Sequence, residues 1–268
     1  TRDAFVVMKV IAIANQKGGV GKTTTSVNLS ASLSVTQQRV LLVDLDPQGN
    51  ATMGSGINKN ALDKTLYDLI IRDSDFIAVM QSAKDAGYDL LPSNGDLVSA
   101  EAQLLDFDSR EYRLDAILKS VDGSYDYVVI DCPPSLNMLT INALVAANKV
   151  IIPMQCEYFA LEGLSALMQT IDIIKGHLNP ELEIEGVVRT MYDPRNRLTI
   201  EVNNELFNHL GKKVYRTVIP RNVRLAEAPS FGLPVIQYDR QSKGAIAYLA
   251  LAGELLRRAD EAKMLKCS

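Results

Sequence analysis

The chain of 268 residues has few cysteines and no long apolar run. Its three cysteines, Cys132, Cys156 and Cys267, lie far apart without CxxC spacing. This argues against a disulfide framework and against a zinc site, and it favours reduced, mostly buried thiols. No uninterrupted apolar stretch reaches the roughly eighteen residues of a transmembrane helix, so none is expected. Residues 1–7 lack the basic start and apolar centre of a signal peptide, which predicts a cytoplasmic protein.

No internal repeat or low-complexity linker divides the chain. Met8 resembles a natural start, so we expect residues 1–7 to be a flexible or non-native extension and residues 8–268 to form one domain. Apolar runs typical of buried strands alternate with segments of helical periodicity, among them residues 76–83. This alternation predicts an α/β fold, with a mostly parallel, doubly wound sheet that carries helices on both faces.

A glycine-rich loop follows the first predicted strand and precedes the first predicted helix. Glycines let backbone N–H groups converge on an anion, and the helix N-terminus adds its positive dipole end. Lys22 supplies a point charge, and the Thr23 hydroxyl suits a magnesium ion. The loop therefore predicts a nucleoside triphosphate site, the alternative being a glycine turn that binds nothing. The predicted ATP-binding residues of the loop are Lys17, Gly18, Gly19, Val20, Gly21, Lys22, Thr23 and Thr24.

The loop departs from the ordinary Gly-x4-Gly-Lys-Thr pattern at one position. Gln16 stands where the first glycine is expected, and a second lysine, Lys17, follows it. This combination resembles the deviant Walker A box of the ParA/MinD family of dimerising ATPases. In that family the extra lysine reaches the nucleotide of the partner subunit. The resemblance implies ATP as ligand, ATPase activity with Lys17 and Lys22 in catalytic roles, and an ATP-dependent homodimer.

Two further segments place acids at the ends of predicted strands. Asp44 and Asp46 follow one apolar run, and Asp131 ends another. Because ligands of doubly wound sheets lie at the carboxyl ends of the strands, we expect these acids to face the loop. Of two nearby carboxylates, one can support a metal ion or a lysine while the other orients the attacking water. The alternatives are an Asp-Pro turn at the first segment and a helix-capping aspartate at the second.

The resemblance extends to these segments and to a later one. It matches Asp46 to the acid that positions the water and Asp131 to the Walker B magnesium ligand, so Thr23, Asp46 and Asp131 are the predicted Mg²⁺ residues. Pro220 and Asn222 follow a predicted strand and match the segment that contacts adenine. All these motifs together resemble the family from Met8 to the last helix.

The basic residues are concentrated in one segment of an acidic chain. Residues 1–188 carry 14 basic and 24 acidic residues, whereas residues 189–224 carry eight basic and three acidic ones. An ordinary solvated face is one interpretation, and sequence-independent contacts to DNA phosphates are the other. The resemblance favours the second, since chromosomal ParA (Soj) proteins bind DNA through arginines that match Arg195 and Arg224. Arg197 and Arg221 are the other predicted DNA-binding residues.

The resemblance implies a switch for chromosome or plasmid partition. It would have weak intrinsic ATPase activity, would bind double-stranded DNA non-specifically on the nucleoid, and would be stimulated by a ParB/Spo0J-type partner. The first rival is a MinD-like membrane ATPase of cell division, which needs a basic amphipathic tail where only residues 263–268 remain. The second rival is an iron–sulfur carrier, which needs clustered cysteines that this sequence does not offer. The third is an ATP-dependent ligase, which needs a second substrate pocket that the sequence does not identify. No stable membrane insertion is expected.

Overall fold

The computed structural model describes residues 8–267, so the predicted extension at residues 1–7 lies outside the described residues. Within this range the chain forms eight strands. They are β1 (Lys9–Ile13), β2 (Val40–Asp44), β3 (Gln81–Ala83), β4 (Tyr88–Leu91), β5 (Tyr127–Asp131), β6 (Lys149–Gln155), β7 (Glu183–Tyr192) and β8 (Val214–Pro220). One sheet contains them all in the order β3-β4-β2-β5-β1-β6-β7-β8.

The strands are connected mainly by helices. Those in the described range are α1 (Lys22–Val35), α2 (Asn50–Gly54), α3 (Leu66–Arg72), α4 (Phe76–Val79), α5 (Leu97–Leu104), α6 (Arg113–Lys119), α7 (Met138–Ala146), α8 (Ala160–His177), α9 (Arg197–Leu210), α10 (Val223–Glu227), α11 (Val235–Tyr238) and α12 (Lys243–Cys267). Every neighbouring pair of strands is parallel except β3 and β4. The predicted α/β fold is confirmed.

The prediction of one helix over residues 76–83 is wrong. Helix α4 ends at Val79, and β3 then pairs antiparallel with β4, with Gln81 opposite Leu90 and Ala83 opposite Tyr88. Gly87, which has a φ of 85°, lies in the turn between the two strands. Pairing with the sheet edge outweighs the helical spacing of the side chains because strand formation depends on tertiary neighbours more than on local preference.

The central strands β1, β2, β5 and β6 are mostly apolar because both faces of the sheet are covered. In β1, Val10 and Ala12 belong to one hydrophobic core, whereas Ile11 and Ile13 belong to the core on the opposite face. The second core includes buried residues of α1 and α12, and the first includes residues of α3 and α5 to α8. The sheet is therefore a rigid central layer between two sets of helices.

The register of the central strands brings their carboxyl ends to one line. Ile13 pairs with Asp131, and Asp131 pairs with Asp44 on its other side. The loop after β1 and the segments after β2 and β5 consequently begin side by side. This places the predicted loop and both acidic segments at the same edge of the sheet, where ligands of such folds bind.

Candidate nucleotide and magnesium site

The glycine loop joins β1 to α1 with two residues in the left-handed region. Gly19 has a φ of 74° and Gly21, the residue before α1, a φ of 88°. Any other residue would be strained at these positions. A Cβ atom built on Gly18 or Gly19 would meet nothing within 4 Å, so the loop borders open space. The loop therefore has both the backbone shape and the room to surround an anion.

The two loop lysines have different surroundings. Lys22 is 7% exposed, and its Nζ donates to the Lys17 carbonyl oxygen at 3.1 Å. Burial lowers the pKa of Lys22, while the carboxylates of Asp131 and Asp46 act in the opposite direction. The Lys17 ammonium instead forms an ion pair with Glu157, just beyond β6, and both of these side chains are about half exposed. One lysine thus lies in the site and the other lies at its rim.

Asp131 is fully buried at the end of β5 and is bound by two hydroxyls of α1. Thr23 Oγ1 donates to Asp131 Oδ2 and Ser26 Oγ donates to Asp131 Oδ1, each at 2.8 Å. Burial and the neighbouring charge of Asp44 raise the pKa of Asp131 well above its ordinary value. A carboxylate in this state gains strongly from a nearby cation.

The two acids after β2 have different environments. Asp44 is fully buried, and its Oδ2 accepts hydrogen bonds from both the backbone N and the Oγ1 of Thr52 at 2.7 Å. Its Oδ1 also accepts from the Asp46 backbone N at 3.3 Å. Asp46 itself is partly exposed, and its Oδ1 accepts from the Gln48 N–H at 2.9 Å. Asp44 therefore fixes the backbone that presents Asp46 at the open side of the site.

The donor set fits a magnesium ion that is shared with a nucleotide. Two buried carboxylates, Asp44 and Asp131, lie on adjacent strands; burial raises the pKa of both, and the charge of Asp44 raises that of Asp131 further, which marks a place where positive charge is needed. Among the described residues, no three His, Cys, Asp or Glu side chains are placed to hold a metal by themselves. Magnesium usually takes only one or two carboxylates and completes its shell with phosphates and water, so this finding agrees with the fit.

A cavity of about 400 Å³ adjoins the loop on the β8 side. Gly21 and Thr24 of the loop line it together with Pro220 and Asn222, the predicted adenine-contacting residues. Asn222 Oδ1 accepts from the Leu225 N–H at 3.3 Å and so begins α10, which leaves the amide hydrogens to donate elsewhere. The structure therefore brings the predicted phosphate and base residues to one continuous space.

The predicted DNA-binding arginines lie beyond β7 and β8, near the cavity. Three are engaged by carboxylates: Arg195 by Asp193 at 2.8 Å, Arg197 by Glu201 at 2.9 Å, and Arg224 by Glu227 at 2.8 Å and Asp239 at 3.3 Å. The fourth, Arg221, lines the cavity and, after Arg195, helps to lower the pKa of Asp193 to about 2. The two arginine-bearing turns are therefore neighbours.

The basic segment does not form one surface as a whole. Arg189 is 4% exposed and donates to Asn203 Oδ1 and to the Tyr215 carbonyl oxygen. Lys212 and Lys213 lie before the start of β8, whereas Arg221 lies after its end, so the two lysines are at the other end of this strand. The eight basic residues between positions 189 and 224 therefore do not all contribute to a surface, because the Arg189 guanidinium is used inside the fold.

Several residues of the site carry no motif signal. Ser26 follows Thr23 by three positions on the same helix, so helical spacing offers one clue to its position. Four other residues are distant in sequence from the loop and come to the site only through the tertiary structure: Thr52, Gln155, Glu157 and Thr190.

Cys132 and Cys156 are free and buried, as predicted for those two cysteines.

A phosphate-type loop at a helix N-terminus, a buried strand-end aspartate bound to that helix, and a base-sized cavity beside it define a P-loop nucleoside triphosphatase. A family model for an AAA domain matches residues 8–184. The chain is 54% identical over 247 residues to the sporulation initiation inhibitor protein Soj of Bacillus subtilis, covering 92% of this chain and 98% of that protein. It is 51% identical over 253 residues to the chromosome partitioning protein ParA of Caulobacter vibrioides, covering 94% and 95%.

Solved structures agree with this assignment. One, described as cobyrinic acid a,c-diamide synthase from Mycobacterium smegmatis with bound ADP and magnesium, is 39% identical with a TM-score of 0.84, covering 95% of this chain and 96% of that chain. Another, the septum site-determining protein MinD of Pyrococcus horikoshii with Mg-ADP, is 26% identical with a TM-score of 0.76, covering 94% and 97%. The chain belongs to the ParA/Soj family of chromosome-partitioning ATPases. It is an ATPase that uses ATP and Mg²⁺, as the resemblance implied.

Proposed function

We propose that this chain is an ATP-driven dimerisation switch in chromosome or plasmid partition. The observation that carries the proposal is the separation of the two loop lysines. Lys22 is buried beside Asp131, whereas the Lys17 ammonium lies at the rim, paired with the half-exposed Glu157. A rim lysine is available to the nucleotide of a facing subunit once its ion pair opens. Surface ion pairs contribute little, about 0–1 kcal/mol, so this opening is energetically accessible.

Exposed apolar side chains beside the rim support a facing second copy. Tyr158 and Phe159 follow Glu157 and are 74% and 70% exposed, and Leu136, five residues after Asp131, is 46% exposed. Apolar groups that cluster next to polar ones are typical of interaction surfaces. ATP bound at the loop would complete this face, so the dimer forms only while the triphosphate persists.

The dimer would bind double-stranded DNA without sequence preference through Arg195, Arg197, Arg221 and Arg224. Two subunits double the number of phosphate contacts, which compensates for the acidic character of the whole chain. Hydrolysis, with Asp46 positioning the water, would be slow until a ParB-type partner stimulates it. Nucleoid association and release would then follow the nucleotide state.

The deciding experiment compares DNA binding and molecular size with ATP, ADP and no nucleotide. Wild-type protein is expected to be dimeric and to bind DNA only with ATP. Lys17→Ala should still bind ATP but remain monomeric, whereas Lys22→Ala should weaken ATP binding itself. A Lys17→Ala protein that dimerises like wild type would contradict the assigned role of Lys17.

A second candidate is an ATP-dependent amide synthase, because the 39% identical structure carries that description. Such an enzyme needs a second substrate pocket at the phosphate end of the loop. The cavity beside Asn15, Gln16 and Pro134 holds only about 10 Å³, which is room for about one water.

A MinD-like role is tested by liposome co-sedimentation with ATP. Among the described residues, no helix is both long enough and apolar enough to cross a membrane.

A further inference from the structure

Two side chains from outside the phosphate loop hold its backbone carbonyls. Thr190, near the end of β7, is 3% exposed and donates from Oγ1 to the Val20 carbonyl oxygen at 2.7 Å. Gln155, the last residue of β6, donates from Nε2 to the Gly19 carbonyl oxygen at 3.3 Å. The two contacts fall on successive peptide groups of the loop, and they come from the two successive strands that lie on one side of β1.

The orientation of these peptide groups decides whether the loop binds anions. Its N–H groups must face the phosphate, and its carbonyl oxygens, which would repel a phosphate, must face away. Glycines with positive φ flank Val20 on both sides, so rotation of the peptides meets little steric resistance. A donor on each carbonyl therefore fixes the loop in its anion-binding conformation before the ligand arrives.

The end of β7 shows further signs of being shaped for this task. Met191, directly after Thr190, has a φ of 48°, a conformation that is costly for a non-glycine residue and that is found at functional sites. Gln155 Nε2 also contacts Met191 Sδ. The Thr190 side-chain carbons lie 3.7–3.8 Å from a Cβ built on Gly21, so Thr190 packs against the loop as well as donating to it.

We propose that Thr190 is a positioning residue for the ATPase reaction, acting through the Val20 carbonyl to keep the phosphate loop preorganised, with Gln155 as the weaker second support. The role goes beyond the partition function, since it concerns triphosphate binding whatever the switch controls. Thr190 also lines the cavity beside Pro220 and Asn222, but its hydroxyl is bound to the loop, so loss of the hydroxyl is expected to affect binding of the phosphates and not of the base.

The test compares Thr190→Val, which keeps the shape and removes the donor, with Thr190→Ser, which keeps the donor and removes the methyl group. Thr190→Val is expected to raise the Kd for Mg-ATP about tenfold, since it leaves a buried carbonyl unpaired. Thr190→Ser should stay within about twofold of wild type. Affinity for adenosine, which has no phosphate, should be unchanged in both, and circular dichroism with thermal unfolding verifies the fold.

Three results would overturn the proposal. They are a wild-type affinity of Thr190→Val for Mg-ATP, an equal loss in Thr190→Ser, and an equal loss for adenosine and Mg-ATP, which would indicate a general structural role. If Thr190→Val does not fold, the part-exposed Gln155→Leu carries the same comparison. An affinity of Gln155→Leu for Mg-ATP that is about threefold weaker than wild type, with no change for adenosine, supports the proposed hydrogen bonds to the loop carbonyls. An unchanged affinity for Mg-ATP, or an equal loss for Mg-ATP and adenosine, would refute them.

Discussion

Replacing Arg224 by alanine is expected to weaken ATP-dependent DNA binding and to reduce its dependence on salt. The exposed guanidinium is held by Glu227 at 2.8 Å and Asp239 at 3.3 Å, so it is oriented but keeps its charge. In the proposed homodimer, this change would remove two phosphate contacts. Each contact contributes about 0.9 to the slope of log affinity against log salt concentration, so the slope should become shallower by about 1.8.

Over a rise from about 50 to 200 mM salt, that difference corresponds to about a tenfold change in relative affinity. Fluorescence anisotropy with labelled duplexes of unrelated sequences, at saturating ATP, measures both slopes. Glu227→Gln is the matched variant, because it removes the competing carboxylate and should strengthen binding. Identical slopes for wild type and Arg224→Ala, or weaker binding by Glu227→Gln at the same ATP affinity, would refute the phosphate contact.

Lys22→Ala is expected to weaken ATP binding about a hundredfold in calorimetry, because a charge-assisted contact of about 3 kcal/mol is lost; near-native affinity would contradict the phosphate site. Asp46→Ala should bind ATP but hydrolyse it about a hundredfold more slowly, so unchanged turnover would exclude its role. Glu254→Gln should lower the free energy of unfolding in urea by about 2 kcal/mol above about pH 5. Burial raises the pKa of Glu254, but hydrogen bonds from Arg216, Thr217 and Arg258 outweigh it and leave the pKa below 4.5. This stability is therefore lost as the pH falls through the lowered pKa, and a pH-independent difference would contradict the assignment.

The sequence predicts best those parts of the fold in which local pattern and tertiary structure agree. The buried central strands are almost wholly apolar, β2 and β5 each end at an aspartate, and the glycine loop follows β1 within five residues, so these three strands are readily found. Helix α7 was not predicted, and its start depends on the Asn137 side chain, which accepts from the Thr140 N–H. Edge strand β3 has only three residues and exists through its pairing with β4.

In the candidate site too, contacts within one segment can be predicted from the sequence, whereas contacts between distant segments mostly cannot. Contacts within one segment, such as the loop with Lys22 and Thr23, can be inferred from spacing alone. Joining Thr23 to Asp131 needs only the rule that strand ends share an edge. The Thr190 contact to Val20 spans 170 residues and involves an ordinary buried threonine, so no pattern points to it. Arg189 illustrates the opposite error, since residue type suggests a surface charge while strand β7 places it inside the fold.

In the structure, the backbone of the extra lysine, Lys17, is in contact with the phosphate-binding lysine. The Lys22 ammonium donates to the backbone carbonyl of Lys17, five residues earlier, at 3.1 Å. A triphosphate in the loop competes for that ammonium, because a charged phosphate is a stronger acceptor than a peptide carbonyl. Binding of ATP is therefore expected to release the Lys17 backbone at the same time as it fills the face that Lys17 borders. Phosphate binding would then alter both the interior of the site and the residue at its rim, as the proposed nucleotide-controlled dimer requires.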